Sequence, residues 1–290
     1  MGSSMNQTLS RWLQAPSIVL LFIWMIVPAG MTVYFSFINY RLLSPEQGGF
    51  AGWSNYEFFY TDRDFWPAIF NTLLMVGLVL VITIVLGLAL AVLLDRRFRG
   101  RNIARLLLIS PFFIMPTVNA LIWKTMMMNP IYGILSVVWR FFGAEPIDWL
   151  SQFPLLSIVI IISWQWTPFA FLIFMTALQS QDHEQKEAAT LDGAGFWAQL
   201  WHLTLPHLAR PIAVVVLIQS IFHLSIFAEI FVTTGGGPGN QSTNLAFLIY
   251  RQAFFGFDVG VAAAGGIIAI ILANIVAYLL IRVIGKNLTV

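Results

Sequence analysis

The segment Glu187-Ala-Ala-Thr-Leu-Asp-Gly-Ala194, followed by Leu205-Pro206, stands between two long apolar runs in a chain made mostly of such runs. Residues 180–191 are compatible with a helix, and the glycines of Asp192-Gly-Ala-Gly195 should break it. Apolar residues then recur at helical spacing until Leu205-Pro206 ends a second helix. The segment therefore predicts a helix–turn–helix hairpin.

The second helix of this hairpin carries an apolar face. Phe196, Leu200 and Leu203 recur at helical spacing beside Trp197 and Trp201. Exposed apolar surface rimmed by polar residues is typical of a protein interface. Small residues at the tip would let the backbone of a partner approach closely, so the hairpin is predicted to bind another protein.

The whole chain has the composition of a membrane protein. Of its 290 residues, 59% are hydrophobic and 10% are charged, whereas soluble domains carry about 25% charged residues. The apolar runs are continuous rather than alternating, which favours helices over a β-barrel. The chain has no cysteine, so thiol catalysis, disulfides and cysteine metal sites are excluded. Met1–Ser4 precede a second methionine and are interpreted as a cloning remnant.

Residues 5–290 are predicted to form a single membrane domain with six spans. The spans lie at 16–38, 67–94, 106–128, 155–178, 212–233 and 259–284. Ten of the fifteen Lys and Arg residues fall in the N-terminal segment, the loops 95–105 and 179–211, and the C-terminal end of the chain from Arg282 onward. Because positive residues accumulate on the cytoplasmic side, both termini and the loop 179–211 are predicted to be cytoplasmic.

The segment 187–206 resembles a known motif. Glu187-Ala-Ala189, Gly193, Leu203 and Leu205-Pro206 are spaced as in the EAA loop of bacterial ABC importer permeases, with Leu203 where that family usually has isoleucine. The surrounding Asp192-Gly-Ala194 and Pro211 resemble the carbohydrate-uptake branch, whose members import maltose and glycerol phosphate. The resemblance covers nearly the whole chain from the first span onward.

A glycine-rich loop supports the same resemblance. The loop lies within residues 233–243, and together with Tyr250–Phe254 it is similar to the first of the two paired permeases of this branch. Its glycines and proline allow tight turns at or just outside the membrane. We expect an extracytoplasmic solute-binding protein to dock there and on the outer aromatic loops, and the loop residues concerned are Gly235, Gly236, Gly237, Pro238, Gly239 and Asn240.

The resemblance implies an all-α type I ABC importer permease with a coupling helix that inserts into a cytoplasmic ATPase. The residues implied in this coupling are Glu187, Ala188, Ala189, Asp192, Gly193, Ala194, Leu205 and Pro206. It also implies a second, different permease, two ATPase subunits and the binding protein as partners, in the inner membrane of a bacterium and with no nucleic acid.

The sequence itself indicates that this chain is not an enzyme. It has no GxxxxGK[ST] phosphate loop, so we expect it to bind no cofactor and the partner ATPases to use MgATP. Its four histidines are scattered without metal-ligand spacing, which predicts no metal site. No acid, base and nucleophile are grouped along the chain.

Polar side chains within the spans are candidates for the substrate pathway, because such groups are costly at membrane depth. Gln219, Phe222, His223 and Glu229 lie near one face of the fifth span, and amides or carboxylates beside an aromatic ring are typical of sugar sites. An interhelical clamp is an equal alternative for Gln219 and His223. For Glu229, near the outer end, a gate or a loop anchor is favoured.

The third and fourth spans add further candidates, which are Asn119, Trp123, Lys124, Gln165 and Trp166. Gln165 and Trp166 precede Pro168, which can kink a helix toward a cavity. We expect Lys124 to reach the membrane surface, with an ion pair to Glu229 or the attraction of an anionic sugar derivative as alternatives.

Three other functions remain alternatives. An importer of amino acids or of another small solute would share this architecture. An ion-driven secondary transporter would show an internal repeat and broken helices at corresponding positions of two halves, which the sequence does not display. A membrane enzyme would need grouped catalytic residues. The sequence favours the carbohydrate importer.

Overall fold

The computed structural model describes residues 2–96 and 98–288, and the side chains of this set except residues 2–12, Gln47, His183 and 283–288. Met1 of the predicted cloning remnant and Arg97 of the arginine-rich loop lie outside the described residues. The α-helices are α1 (Gly2–Ser36), α2 (Ser54–Thr61), α3 (Phe65–Asp95), α4 (Arg101–Ile109), α5 (Pro116–Ile122), α6 (Ile134–Phe141), α7 (Trp149–Gln152), α8 (Pro154–Gln179), α9 (His183–Leu191), α10 (Phe196–Gln199), α11 (Leu205–His223), α12 (Ala228–Thr233), α13 (Leu245–Phe254) and α14 (Val259–Leu288).

The remaining regular structure is short. Strands β1 (Ile38–Asn39) and β2 (Gly49–Phe50) pair antiparallel, with Ile38 opposite Phe50. Single 3₁₀ turns occupy Pro45–Gln47 and Ser110–Phe113. Two π-helical turns, Trp123–Met127 and Leu200–Thr204, continue neighbouring helices.

Within the described residues, five helical runs are long and apolar enough to cross a bilayer. They are Leu13–Ser36, Phe65–Asp95, Pro154–Gln179, Phe196–His223 and Val259–Arg282. The pair Arg101–Phe113 and Pro116–Met127, bent by 107°, makes a sixth if it is counted as one span. The predicted all-α membrane fold is confirmed, and the chain is a multi-pass membrane protein.

The described chain forms two compact units, and the first contains the residues up to Asp62 together with Ile249–Ile270. In this unit the Asn55 amide donates to the carbonyls of Ser36 and Ile38 at 2.9 and 3.0 Å. The small-residue stretch 260–266 packs closely, because a Cβ on Gly265 would lie 2.5 Å from Cζ of Phe59.

The second unit contains Arg63–Leu248 and the described residues from Ile271 onward, and its core lies between α3 and α8. Gly87 of α3 lets the two helices touch, because a Cβ there would lie 2.8 Å from Cβ of Ala170. Small residues allow such close approach in membrane proteins. The core residues include Ala91, Ala170, Phe171, Phe174, Leu208 and Val215. All the candidate site residues lie in this unit.

The third span is broken rather than continuous over 106–128. Ile114 and Met115 are extended, with ψ angles of 133° and 139°, between the 3₁₀ turn and α5. Met115 precedes Pro116, and the ring of a proline disfavours the helical conformation of the residue before it. The break therefore has a local cause in the sequence.

The fifth span begins earlier and breaks once. The prediction that Leu205-Pro206 ends a helix is wrong, because α10, the π-helical turn and α11 run on from Phe196 to His223. Pro206 follows directly on the π-helical turn Leu200–Thr204, where the backbone hydrogen bonds depart from the α-helical pattern, so its missing N–H does not end the run. The helix stops after His223 and resumes as α12 at Ala228.

Candidate functional site

The hairpin predicted at 180–204 is present, and its turn is closed by backbone hydrogen bonds. The Ala194 N–H donates to the Ala189 carbonyl at 2.9 Å, and the Gly193 N–H donates to the Thr190 carbonyl at 3.1 Å. Gly193 has a φ of +80°. These two bonds around a left-handed glycine form a Schellman motif, so the end of α9 favours glycine at position 193.

The tip of the hairpin is open on its outer side. A Cβ on Gly193 would meet no atom within 4 Å. Leu191 and Trp197 expose 88% and 69% of their surface. Of the predicted coupling residues, Glu187, Ala188, Asp192, Gly193 and Pro206 are exposed, and Ala189, Ala194 and Leu205 are half-buried. This surface has the exposed apolar character of a protein interface.

Both arms of the hairpin contact the end of α3. Lys186 of α9 forms an ion pair with Asp95 at 3.7 Å, and the guanidinium of Arg96 lies 5.7 Å from the ring centroid of Phe196 in α10. Gln199 joins the arms to each other, since its amide donates to Thr190 Oγ1 at 3.1 Å and to the Ala194 carbonyl at 2.9 Å. The hairpin is thereby connected to a membrane-spanning helix.

Gln219 is an interhelical clamp. It is fully buried; its Oε1 accepts from Thr83 Oγ1 at 2.7 Å, and its Nε2 donates to the Trp166 carbonyl at 3.3 Å. These bonds join α11 to α3 and α8. Of the two alternatives for Gln219, the structure favours the structural one.

Gln165 and Asn119 bridge the break in the third span. Gln165 Nε2 donates to the Ile114 carbonyl at 2.6 Å, before α5, and Gln165 Oε1 accepts from Asn119 Nδ2, within α5, at 2.8 Å. Both side chains are buried. The carbonyl freed by the break is thus satisfied, as backbone groups at membrane depth require.

An aromatic cavity lies on one side of α8. Its volume is about 370 Å³, and its walls are Phe112, Ile114, Pro116, Gln165, Trp166, Phe169, Ile218 and Phe222. The Trp166 ring is at the centre of an aromatic cluster, with ring centroids 5.2 Å from Phe222 and 5.6 Å from Phe112. Phe222 is 57% exposed, so the cavity is accessible from outside the subunit.

His223 packs against this aromatic cluster but does not line the cavity. Its ring meets that of Trp166 edge to face at 4.9 Å between centroids. It is buried, and neither ring nitrogen has a hydrogen-bond partner among the described residues. His223 therefore supports the Trp166 ring and retains unused hydrogen-bonding capacity.

Trp123, Lys124 and Glu229 do not reach the aromatic cavity. Trp123 is buried and packs edge to face on Trp164 at 5.8 Å. Lys124 Nζ donates to the Val232 carbonyl at 2.8 Å. The suggested ion pair of Lys124 with Glu229 is absent from the described residues, and the exposed Lys124 joins α12 through the backbone instead. Glu229 is buried.

The glycine loop is anchored to α3 by hydrogen bonds. Asn71 Nδ2 donates to the carbonyls of Thr243 and Gln241 at 2.9 and 3.2 Å, and Thr72 Oγ1 accepts the Leu245 N–H at 2.9 Å. Gly236 is buried, whereas Gly235, Pro238 and Gly239 are exposed and Gly237 and Asn240 are half-buried. Asn71 and Thr72 are not among the site residues predicted from the sequence, because their partners lie 172 and 173 positions away along the chain.

Comparison with known proteins assigns this architecture to a family. A family model described as binding-protein-dependent transport system inner membrane component matches residues 84–290. The probable ABC transporter permease protein y4oQ of Sinorhizobium fredii is 34% identical, over 86% of this chain and 81% of its own length. The trehalose/maltose transport system permease protein MalF of Thermococcus litoralis is 30% identical, over 89% and 87%.

A solved structure has the same fold. It is a chain from a bacterial alginate ABC transporter in complex with an alginate pentasaccharide-bound periplasmic protein. The TM-score is 0.80 at 22% sequence identity, and the match covers 96% of this chain and 94% of that chain. The likeness extends over nearly the full length of both proteins.

Proposed function

Because this chain belongs to the family of binding-protein-dependent transport system inner membrane components, we propose that it lines the path by which an ATP-driven importer moves a sugar, polyol or sugar derivative across a bacterial inner membrane. The family consists of membrane components, so the prediction of a permease subunit rather than an enzyme is confirmed. Membership also removes the ion-driven secondary transporter from consideration.

The observation that carries the proposed substrate class is the aromatic cavity. Trp166 and Phe222 line this cavity with aromatic rings against which a pyranose can pack, and Gln165 is part of its wall. Mostly apolar walls with a few polar groups are usual in small-molecule sites. The similarity to the trehalose/maltose permease of Thermococcus litoralis supports the same class.

The hairpin would couple ATP hydrolysis by the ATPase subunits to movement of the membrane helices. The exposed tip around Gly193 fits into a cleft of an ATPase, and closure of two ATPases on MgATP brings two such hairpins together. Rigid-body rocking of helices around a central site is the physical form of alternating access. In this scheme the chain itself binds no nucleotide, and loop 179–211 and both termini are cytoplasmic.

The remaining partners follow from the same scheme. A second, different permease completes the pathway, two ATPase subunits bind below, and an extracytoplasmic binding protein delivers the substrate, with no nucleic acid involved. The exposed residues Gly235, Pro238 and Gly239 of the glycine loop offer the docking point. The alginate transporter of the same fold was solved in complex with a periplasmic protein, which supports a partner of this kind.

A pair of tryptophans on opposite faces of α8 tests the substrate site. The importer is first isolated with its co-purifying subunits, the binding protein is screened against sugars, and uptake is measured in vesicles with ATP inside. Trp166→Ala removes a cavity wall and should reduce uptake at least tenfold. Trp164→Ala removes a ring of the same kind from the other face and should leave the substrate concentration dependence of uptake unchanged.

The outcomes separate the parts of the proposal. Equal uptake by the two variants would remove the aromatic cavity from the pathway. Uptake of an amino acid instead of a sugar would overturn the substrate class while leaving the importer function intact. A chain that purifies alone and transports without ATP would contradict the proposed mechanism.

A further inference from the structure

A second, larger cleft lies on the face of α8 opposite the aromatic cavity. Its volume is about 500 Å³, and it is open to the outside of the subunit between α3, α4 and α8. It is lined by Ile82, Leu86, Leu90, Leu107, Leu108, Ser110, Pro111, Trp123, Ile160, Ser163, Trp164, Thr167 and Pro168. At 100° per residue, Trp164 and Thr167 point away from Trp166 and Phe169. The cleft is therefore separate from the proposed substrate site.

The chemistry of the cleft does not suit a sugar. The hydroxyl groups of Ser110 and Thr167 are occupied by the carbonyls of Leu107 and Ser163, at 2.9 and 2.6 Å. Of the hydroxyls that line the cleft, the Ser163 Oγ alone lacks a partner among the described residues. From Ile82 to Leu90 the apolar lining follows α3 for about 12 Å, at 1.5 Å per residue. Such a long apolar surface at membrane depth suits a hydrocarbon chain.

One end of the cleft is cationic. Arg105 stands one helical turn before Leu108, and its Nη2 donates at 2.8 Å to the carbonyl of Leu94, one turn after Leu90. Both helices therefore place the guanidinium at the same end of the cleft. The Arg105 Nε has no acceptor among the described residues. Arg101, the first residue of α4, lies one helical turn before Arg105.

The nearby acidic group does not neutralise this end. Asp95 is the acid in the stretch 95–105, and its carboxylate pairs with Lys186 of the hairpin. The stretch therefore keeps a net positive charge from Arg96, Arg99, Arg101 and Arg105, with Arg105 at this end of the apolar cleft. An apolar slot with a basic rim at the membrane surface is complementary to a lipid with a negatively charged headgroup.

We propose that this cleft binds one anionic phospholipid, with an acyl chain against Leu86, Leu90 and Leu108 and the phosphate beside Arg105 and Arg101. Two independent features of the chain point to the same ligand, since the apolar lining selects the tail and the arginines select the headgroup. The site is independent of the sugar pathway and goes beyond the transport function.

Filling the cleft with a bulky side chain tests whether it holds the acyl chain of the lipid. Leu86 and Val85 are adjacent on α3 and expose 47% and 58% of their surface, but Leu86 lines the cleft and Val85 does not. The full chain with its co-purifying subunits is exchanged into vesicles of equal phosphatidylglycerol and phosphatidylcholine, extracted gently, and examined by native mass spectrometry. Leu86→Trp should lose the retained phosphatidylglycerol, and Val85→Trp should keep it.

Removing the positive charge of Arg105 tests whether this side chain binds the lipid headgroup. Arg105→Gln should weaken phosphatidylglycerol retention about fivefold, from the electrostatic contribution of one arginine near a membrane surface. Arg282→Gln removes one arginine from α14 and should change retention little. Thermal unfolding of each variant checks its folding, and the Leu86 and Val85 pair keeps the test valid if Arg105→Gln is unstable.

The competing occupants give different results. Equal retention of the two lipids by the unchanged chain would overturn the proposed headgroup selectivity. The chain has no cysteine, so Ser110→Cys provides a single thiol for a photoreactive label inside the cleft. Cross-linking to phospholipid supports the proposal, and cross-linking to another protein chain would replace it with a subunit interface.

Discussion

Two glycine-containing segments of this protein use the same backbone conformation for opposite purposes. Gly193, at the tip of the hairpin, and Gly236, in the glycine loop, have φ angles of +80° and +86°. A Cβ on Gly193 would meet open space, whereas a Cβ on Gly236 would lie 2.5 Å from Thr243 Oγ1 and 2.7 Å from Cε1 of Phe247. The first glycine ends a helix at an exposed surface, and the second allows a buried loop to close.

The difference shows that a left-handed glycine has a local and a non-local cost of replacement. The local cost comes from the backbone and is common to both sites, at about 1 kcal/mol. The non-local cost depends on what surrounds the missing side chain. A glycine whose replacement harms function without harming the fold is therefore expected at Gly193 and not at Gly236.

The largest effect on stability is expected for Gly236→Val. The left-handed backbone and the overpacking against Thr243 and Phe247 add up to about 3 kcal/mol of destabilisation. Thermal unfolding in detergent measures it. Gly239→Val is the matched control, with a φ of +60° and no atom within 4 Å of its Cβ, and it should cost only the backbone term. Equal losses at the two positions would show that packing around Gly236 is unimportant.

The next effect is expected for Asn71→Ala. The substitution removes the amide that donates to the Thr243 and Gln241 carbonyls and leaves the buried Thr243 carbonyl without this donor, at a cost of about 2 kcal/mol. The glycine loop should also become sensitive to limited proteolysis. Asn102→Ala, in an exposed position of α4, should change neither property, and a loop that stays protected in Asn71→Ala would contradict the anchoring role.

A smaller effect on stability is expected for Gly193→Val, with a cost of about 1 kcal/mol from the backbone alone. Transport and the co-purification of the ATPase should nevertheless be lost, because the new side chain occupies the open space at the tip. Gly193→Asn separates the causes, since asparagine tolerates the left-handed conformation. It should be nearly as stable as the unchanged chain and still fail to couple. Full transport by Gly193→Asn would argue against an ATPase contact at this position.

The smallest effect on stability is expected for Trp197→Ser. Its side chain is exposed, so the free energy of unfolding should change by less than about 0.5 kcal/mol, while the affinity for the ATPase should fall at least tenfold. The affinity is measured by titrating detergent-solubilised permease with the isolated ATPase. Trp66→Ser, an exposed tryptophan at the start of α3, serves as the control and should leave that affinity unchanged.

Much of the fold could be predicted because its determinants are local. The apolar runs are helical, with breaks in the third and the fifth, and α3 and α8 begin and end within two residues of the predicted spans 67–94 and 155–178. The hairpin and its turn followed from the glycines at 193 and 195. The break in the third span also had a visible signal in Pro111 and Pro116, which the interpretation as one continuous span passed over.

The pathway residues could not be assigned in the same way, because their roles depend on neighbours that are distant in sequence. Gln219 shares a helical face with His223, yet its partners are Thr83 and the Trp166 carbonyl. Helical spacing gives the direction of a side chain and not the identity of what it meets. The break at residues 224–227 lacks a proline or glycine, so the separation of Glu229 from His223 had no sequence signal.

The uninterrupted helical run from Phe196 to His223 has a mechanical consequence. It is 28 residues long, or about 42 Å at 1.5 Å per residue, and no loop interrupts it to absorb displacement. Its first residue contacts Arg96 beside the hairpin, and its last contacts Trp166 beside the cavity. In the proposed mechanism, a tilt of about 3° of this run at the hairpin would move its far end, beside Trp166, by about 2 Å, because the displacement is the tilt angle multiplied by the length.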